Sequence, residues 1–408
     1  MTNQAKNVPE LRFPEFDREW EEEKIKSLFK VVSGSTPLRS KKEYFDKAEV
    51  PWVKTTDLNN NVLRITDEKI SNIAVKEVNM RILPKNTLLI AMYGGFNQIG
   101  RTGVISFDST INQAISALLD IEGKSDVKFL QAYFNFNVKK WRRVAASSRK
   151  DPNITKKDIE DFKITIPSLN EQKKLGEFFS KLDRQIELEE QKLAKLEEQK
   201  KGYMQKIFSQ ELRFKDEKGN TFEEWKNTNF NYFMSEPDNL EKGIDLRKDQ
   251  LLTVKLGGNG VSKANINRAL KMGSTVYYKR FAGQFIYGKQ NFFNGAFGIV
   301  PKFLNNYYSS GDVPALNIDY SKIDSKYFIN YISRKDYYKK KEAFSTGTGS
   351  KRIHEKTLLD FDIMLPSVEE QEKIGDFFSE IDNFIEKQSY KVELLKERKK
   401  GFLQKMFV

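Results

Sequence analysis

Apolar residues recur in alternating steps of four and three through Leu175, Phe179, Leu182, Ile186, Leu193, Leu196, Tyr203 and Ile207, with Glu189 and Lys200 as polar members of the series. A second stretch repeats the rhythm through Ile374, Phe378, Ile381, Ile385, Val392, Leu395, Phe402 and Met406, and its polar members Gln388 and Lys399 fall at the same places. A stripe sustained at this spacing predicts a coiled-coil seam. An ordinary core helix also carries an apolar stripe, but the length, the charged flanks and the shared register favour two long helices. Each continuous helix would run about 60 Å at 1.5 Å per residue. Pro167 and Pro366 suit their starts.

The two stretches are copies. With Pro167 set against Pro366, half of the positions to Phe208 are identical without a gap, including Glu171/Glu370, Gln172/Gln371, Gly176/Gly375, Phe178/Phe377, Asp183/Asp382 and Phe208/Phe407. Upstream, DFKITIP at Asp161 answers DFDIMLP at Asp360, and LRF at Leu11 with Trp20 answers LRF at Leu212 with Trp225. Residues near 20–160 and 225–360 show little likeness to each other. The copies can pair antiparallel about a pseudo-two-fold axis, with one variable domain at each end of a rod. Gly202 and Gly401 weaken each helix by about 1 kcal/mol against alanine. Their matched placement predicts close backbone approach or a fraying end. Phe178 and Phe377 lie off the seam, and are read either as an exposed docking surface for a partner helix or as packing against the chain's own variable domains.

The variable segments change period. VPWVKTTDL from Val50, NTLLIAMYGG from Asn86 and RTGVISF from Arg101 are short strand-like runs bounded by turn residues, as are DQLLTVKLGGNG, STVYYKR, GQFIYGK and AFGIVP in the second. Helical spacing returns in DVKFLQAYFNFNVKKWRR from Asp126 and SKYFINYISRKDYYKKK from Ser325. The fold class is α+β. The expected organisation is a first recognition domain at 1–166, a long helix at 167–210, a second recognition domain at 211–365 and a second long helix at 366–408.

Composition narrows the chemistry. The chain has 408 residues, net charge +13 and no cysteine. This excludes disulfides, thiolate metal sites and cysteine nucleophiles. No metal site is expected. His354 is the only histidine, and no G-x-S-x-G accompanies it. No phosphate-binding loop of Walker spacing and no dinucleotide fingerprint occurs. MTNQAKNVPELRF lacks a signal-peptide core and no apolar run reaches about 18 residues, so a cytoplasmic protein with no membrane association is expected.

The excess positive charge is clustered. Lys139, Lys140, Arg142 and Arg143 precede a loop with Ser147, Ser148, Arg149 and Lys150, and Lys339, Lys340 and Lys341 precede one with Thr348, Ser350, Lys351, Arg352 and His354. A charge run is usually a solvated face. Two runs at matched places in unlike domains point instead to double-stranded DNA, because cations neutralise phosphates and small residues let backbone N–H groups approach them. Thr155 with Asp158 predicts a helix cap just beyond the first run. Side chains suited to reading base edges lie between these anchors. They are Lys54, Thr55, Thr56, Tyr93, Asn97, Gln98, Arg101, Asn112 and Gln113 in the first domain, and Lys255, Asn259, Lys263, Lys289, Gln290, Asn291 and Asn294 in the second. Asn112 and Gln113 equally suit a turn or a core cap.

LRFPEF with Trp20, SGSTP at Ser33 before VPWVKTTDL, TLLIAMYGG followed by INQAI at Ile111, and IPSLNEQKKLGEFF resemble the specificity (S) subunits of type I restriction–modification systems. The resemblance covers essentially the whole length, although SGSTP and NQAI wording is missing from the second domain. It implies a non-catalytic DNA-recognition subunit whose two domains read the halves of a split, asymmetric site and whose helices set the gap between them. It also implies two methyltransferase (M) subunits, docked along the helices, for which Phe178 and Phe377 are the candidate docking residues by their off-seam position, and two restriction/translocase (R) subunits. S-adenosylmethionine, ATP and Mg2+ would be used by those partners, and no cofactor by this chain. The alternative is a nucleic-acid-processing enzyme with an unrecognised active site.

Overall fold

A computed structural model describes residues 7–95, 97–121, 123–146, 153–265, 275–347 and 350–408. The helices in chain order are α1 (Ile25–Leu28), α2 (Asn72–Glu77), α3 (Val127–Phe136), α4 (Val138–Ala146), α5 (Lys156–Glu160), α6 (Leu169–Phe208), α7 (Ser325–Ile332), α8 (Lys335–Lys340), α9 (Glu355–Leu359) and α10 (Val368–Met406). The chain forms two compact units: Met1–Gln191 with Ser389–Val408, and Lys192–Gln388. Among the described residues no helix is long and apolar enough to cross a membrane.

The first unit is built on a five-stranded sheet in the order Phe29–Ser33, Ile115–Asp120, Leu88–Ala91, Thr102–Ile105, Val62–Leu63. All its pairings are antiparallel except the last. The run LLIA is apolar at every position because both sheet faces are covered. Leu88 and Ile90 join the cluster containing Phe129 and Tyr133 of α3, whereas Leu89 and Ala91 join Val53, Leu63 and Ile105 on the other side. The strand Glu21–Lys24 pairs antiparallel with Lys163–Ile166, so the start and end of the domain are tied together.

The second unit has a four-stranded antiparallel sheet in the order Met234–Ser235, Ala315–Ile318, Phe285–Tyr287, Phe297–Ile299. A hairpin (Leu252–Val254 with Val261–Lys263) and a pair (Tyr277–Arg280 with Tyr307–Ser310) accompany it. Phe285 and Tyr287 again face one cluster and Ile286 another. Lys226–Asn229 pairs with Asp362–Leu365, repeating the closure of the first unit.

Within each unit the long helices run antiparallel. In the first, Phe178 meets Phe402 edge-on at 5.2 Å, Asp183 pairs with Lys399, and Glu189 pairs with Lys391 at 2.9 Å. In the second, Lys200 pairs with Asp382 at 2.6 Å and Tyr203 meets Phe377 at 5.1 Å. Burial holds the Asp183 carboxyl above the usual aspartate range although the Lys399 ammonium opposes the shift.

The conserved dipeptide of the repeat anchors each long helix to its recognition domain. Glu171 is 1 % exposed and accepts both Arg12 Nε (2.8 Å) and Nη2 (2.7 Å), and Glu370, fully buried, receives Arg213 in the same way (3.2 and 2.7 Å). Gln172 accepts from Asp126 N (3.0 Å) while donating to Pro167 O (2.9 Å). Gln371 accepts from Asp324 N (2.9 Å) and donates to Pro366 O (3.0 Å). Asp126 and Asp324 cap α3 and α7 by accepting from Phe129 N and Tyr327 N.

These caps explain a glycine. A Cβ on Gly176 would lie 2.6 Å from Phe129 N and against the Asp126 carboxylate, and one on Gly375 would press on the Asp324 carboxylate and Lys326 Cβ. Close approach, expected at Gly202 and Gly401, is therefore made one helix end away: among the described residues nothing lies within 4 Å of a Cβ at either of those positions.

Each helix also ends in an aromatic socket. Phe407 packs on Phe129 (5.5 Å), Phe136 (5.8 Å), Tyr133 (5.9 Å), Phe179 (5.3 Å) and Trp20 (6.2 Å). Phe208 packs on Tyr331 (5.4 Å), Tyr327 (5.8 Å), Phe378 (5.9 Å) and Trp225 (6.5 Å). The same geometry corrects the expected exposure of Phe178 and Phe377. Both are half-buried, Phe178 among Phe13, Phe179 and Phe402, and Phe377 among Tyr203, Phe214 and Phe378. The phenylalanine of each LRF motif covers them.

Candidate nucleic-acid interface

In the first unit, backbone hydrogen bonds draw the selected loops together. Lys54 begins a single 3-10 turn, Thr55–Asp57, its N–H donating to Asp57 Oδ2 (2.8 Å) and its ammonium 3.4 Å from Glu68. Thr56 is exposed and Thr55 half-buried. Asn112 N donates to Val53 O (3.0 Å), joining the Asn112–Gln113 turn to this segment. Met92 N donates to Ala114 O (2.8 Å), which brings in the loop carrying exposed Tyr93 and Asn97 and half-buried Gln98. Arg101 donates from Nε to Asn97 O (3.0 Å). The side chain of Asn112 accepts from Ala114 N (3.1 Å), so the turn role holds for it, while Gln113 is exposed.

The basic helix α4 reaches the same loops. Gly100, at φ +77°, lies beneath Trp141, where a Cβ would come within 2.9 Å of the indole's Cβ. Lys139, Lys140 and Arg143 are exposed, and among the described residues none makes an ion pair, although Lys140 lies 6.0 Å from the Tyr133 ring. Arg142 is half-buried, and among the described residues its Nε is enclosed without a hydrogen-bond partner. Ser147, Ser148, Arg149 and Lys150 lie outside the described residues. Beyond them Ile154 N donates to Met92 O (3.0 Å), and Thr155 with Asp158 forms the expected capping box of α5.

The second unit reaches a similar convergence around a different turn. Phe292–Asn294 forms a 3-10 turn with Phe292 and Phe293 buried, so KQNFFN presents only its polar members. Gly257 N donates to Asn294 O and Gly258 N to Gly295 O, both at 2.8 Å, which seats the Lys255–Lys263 hairpin on this turn. Asn259 donates to Leu256 O (2.8 Å) and stays exposed, as do Lys255 and Lys263, whose ammonium lies 5.5 Å from the Tyr307 ring. Asn294 donates to Asn291 (3.1 Å) and accepts from Lys339 (2.8 Å). Lys289 pairs with Glu355 at 2.8 Å, and its carbonyl accepts from Ile353 N (2.9 Å). Gln290 beside it is half-buried.

Thr346 and Arg352 exchange backbone hydrogen bonds at 2.9 Å, closing a basic hairpin. Ser350 is exposed at its tip, and Thr348 lies outside the described residues. Lys351 pairs with Glu342 (2.7 Å) and Arg352 with Asp312 (3.3 Å). His354 is exposed at the N-cap position of α9, and among the described residues its side chain makes no capping hydrogen bond. Lys340 is exposed and, among the described residues, makes no ion pair. Lys341 requires correction as a phosphate contact: it is 6 % exposed, lies over the rings of Tyr337 and Phe361, and pairs with Asp362 at 2.5 Å. That hydrogen bond holds the Asp362 carboxyl below the usual aspartate range. Among the described residues no group of acidic or histidine side chains is arranged to hold a metal ion.

What sequence reasoning missed is the frame rather than the loops. Arg12, Arg213, Glu171, Glu370, Gln172 and Gln371 hold each reader on its helix, and their repetition in both copies was the available sign.

Comparisons with known proteins agree with this organisation. The family profile described as "Type I restriction modification DNA specificity domain" matches twice, over residues 17–198 and 214–394. The MjaVIII specificity subunit of Methanocaldococcus jannaschii is 25 % identical over 434 aligned residues, covering 97 % of this chain and 93 % of its own length. The MjaIX specificity subunit of the same organism is 25 % identical over 259 residues, covering 61 % of this chain and 56 % of its own length. Among solved structures, the type I S subunit of M. genitalium shares the fold with a TM-score of 0.63 at 15 % identity, over 98 % of this chain and 99 % of that one. A chain from a study of assembly and conformational transition in a type I restriction–modification system matches with a TM-score of 0.51 at 12 % identity, over 95 % and 97 %. The chain therefore belongs to the type I restriction–modification DNA-specificity family, as a specificity subunit carrying two copies of the family's domain.

Proposed function

We propose that the chain reads a bipartite, asymmetric duplex sequence, one half with the loops around Lys54–Thr56, Tyr93–Arg101 and Gln113, the other with those around Lys255–Lys263, Lys289–Asn294 and Ser350–His354. The observation that carries this reading is the contrast between frame and loops. The Glu–Gln anchors and aspartate caps are the same in both units and the aromatic sockets correspond at most positions, whereas the loops they support share no sequence. Matching mounts with unlike tips suit two readers of unlike half-sequences. Exposed Lys139, Lys140, Arg143, Lys255 and Lys340 supply phosphate contacts, and asparagine and glutamine side chains supply base-edge contacts.

As a specificity subunit the chain is not itself a catalyst and works with methyltransferase and restriction subunits. Two copies of each complete the assembly, and S-adenosylmethionine, ATP and Mg2+ act in those partners. Exchange of residues 20–160 for the corresponding segment of another specificity subunit tests the reading. Mapping of modified adenines in cells carrying the chimera and its partners should show one half-site changed and the other kept. A change in both, or in neither, defeats it.

A further inference from the structure

Phe344 ends the 3-10 turn Lys341–Phe344, two residues before Thr346 closes the basic hairpin on Arg352. It is 55 % exposed, yet its ring is fixed. The inner edge meets Phe361 at 5.7 Å, and Phe361 meets Phe292 of the Phe292–Asn294 turn at 5.5 Å. The Lys341 ammonium lies 5.5 Å from the Phe344 ring. Next to it, Ser345 donates from N (3.1 Å) and from Oγ (2.6 Å) to Glu342 O, which pins the backbone. Phe344 is thus the outer end of an aromatic series that starts in the core, since Phe292 and Phe361 are both buried.

Its surroundings are the converging loops of the second reader. The turn that carries it packs on Phe292–Asn294, and Lys339 just before that turn donates to Asn294 (2.8 Å). The carboxylates here are already paired: Glu342 with Lys351, Asp312 with Arg352, Glu355 with Lys289 and Asp362 with Lys341. Exposed Lys339 and Lys340 make no ion pair among the described residues, so positive charge is in surplus around the ring. Such a setting suits a polyanion, but a phosphate gives a phenyl ring nothing. The feature of a duplex that is apolar, sequence-dependent and open in the major groove is the C5-methyl group of thymine. We propose that Phe344 is a specificity-determining residue of the second reader and contacts the methyl group of one thymine in its half-site; the inference rests on the DNA reading above. Lys339 and Lys340 hold phosphates, and the ring meets the base edge. Because the ring is already fixed, little side-chain freedom is lost on contact.

Randomised duplexes selected on the full chain, in complex with its methyltransferase subunits, give the split sequence it prefers, and the exchange of residues 20–160 identifies the half read by the second domain. Each thymine of that half is then replaced in turn by deoxyuridine, which removes the methyl group and keeps every hydrogen-bonding atom. The expected result is one thymine whose replacement weakens binding about fourfold, the worth of one buried methyl. In Phe344→Ala, checked for folding by thermal unfolding, the thymine and deoxyuridine duplexes should bind alike at that position. 5-Iododeoxyuridine placed there should, on irradiation, crosslink the unaltered chain through the peptide carrying Phe344, an arm that needs no variant. The proposal is overturned if no replacement matters, if Phe344→Ala keeps the discrimination, or if the crosslink forms elsewhere. Equal weakening of selected and scrambled duplexes by Phe344→Ala makes the ring a sugar-phosphate contact and overturns it too. Failure to select any second half-sequence defeats the DNA reading itself and this inference with it, whereas the methyl arms test this inference alone.

Discussion

At the scale of single residues, the decisive groups are buried charges. Glu171 and Glu370 are almost wholly enclosed, and each is satisfied by the arginine of an LRF motif more than 150 positions away. Removing one partner leaves a buried charge unmatched, which costs about 3–5 kcal/mol. Arg12→Ala should therefore destabilise the first unit by about that amount, read by urea unfolding. Pairing it with Glu171→Leu should recover much of the loss, because the uncompensated carboxylate is gone. The arginines and glutamates were visible in the sequence as repeated letters, but their pairing was not. Nothing local distinguishes a surface Glu–Gln from a buried one, although Glu171 and Gln172 stand four and three residues before Leu175, on the face of the apolar stripe. The same limit led Gly202 and Gly401, rather than Gly176 and Gly375, to be read as contact points. A helix alone does not reveal which of its glycines faces a foreign N-cap.

At the scale of elements, periodicity carried most of the fold. Long helices, short two-sided strands and the antiparallel seam were legible because each leaves a regular imprint on hydrophobic spacing. Loop convergence was not, since it depends on hydrogen bonds such as Asn112 N to Val53 O and Gly257 N to Asn294 O, between backbone atoms that carry no residue identity. Likewise Lys341 belonged to a basic run by composition, yet the adjoining rings of Tyr337 and Phe361 draw it inward. The socket residues close each helix onto its reader. Phe407→Ala should remove an aromatic from a filled site and cost about 3–5 kcal/mol. Hydrogen exchange should then locate the loosening in the first unit, at α3 and the Glu21–Lys24 strand, and leave α7 protected. Phe208→Ala should produce the mirror result.

For the molecule as a whole, the net charge of +13 is expressed locally. Exposed lysines and arginines that make no ion pair among the described residues, such as Lys139, Arg143, Lys255 and Lys340, stand beside the converging loops of both units. Replacing Lys139 and Arg143 together by alanine should weaken binding to all duplexes alike. It should reduce the slope of log affinity against log salt by about 1.8, the counterion release of two phosphate contacts. Half-site preference should be unchanged in the same titrations; a changed preference would reassign these residues to base reading.

The socket around Phe407 also bears on the order of events at the ribosome. The second unit is one uninterrupted stretch, Lys192–Gln388, whereas the first needs Ser389–Val408 to fill its core. The domain synthesised first is thus the last able to close, and until residue 407 emerges its aromatic pit, with Trp20, Phe129 and Tyr133, stays open. A nascent chain stalled just short of that residue should carry a protease-resistant second half beside a first half that is still readily cut.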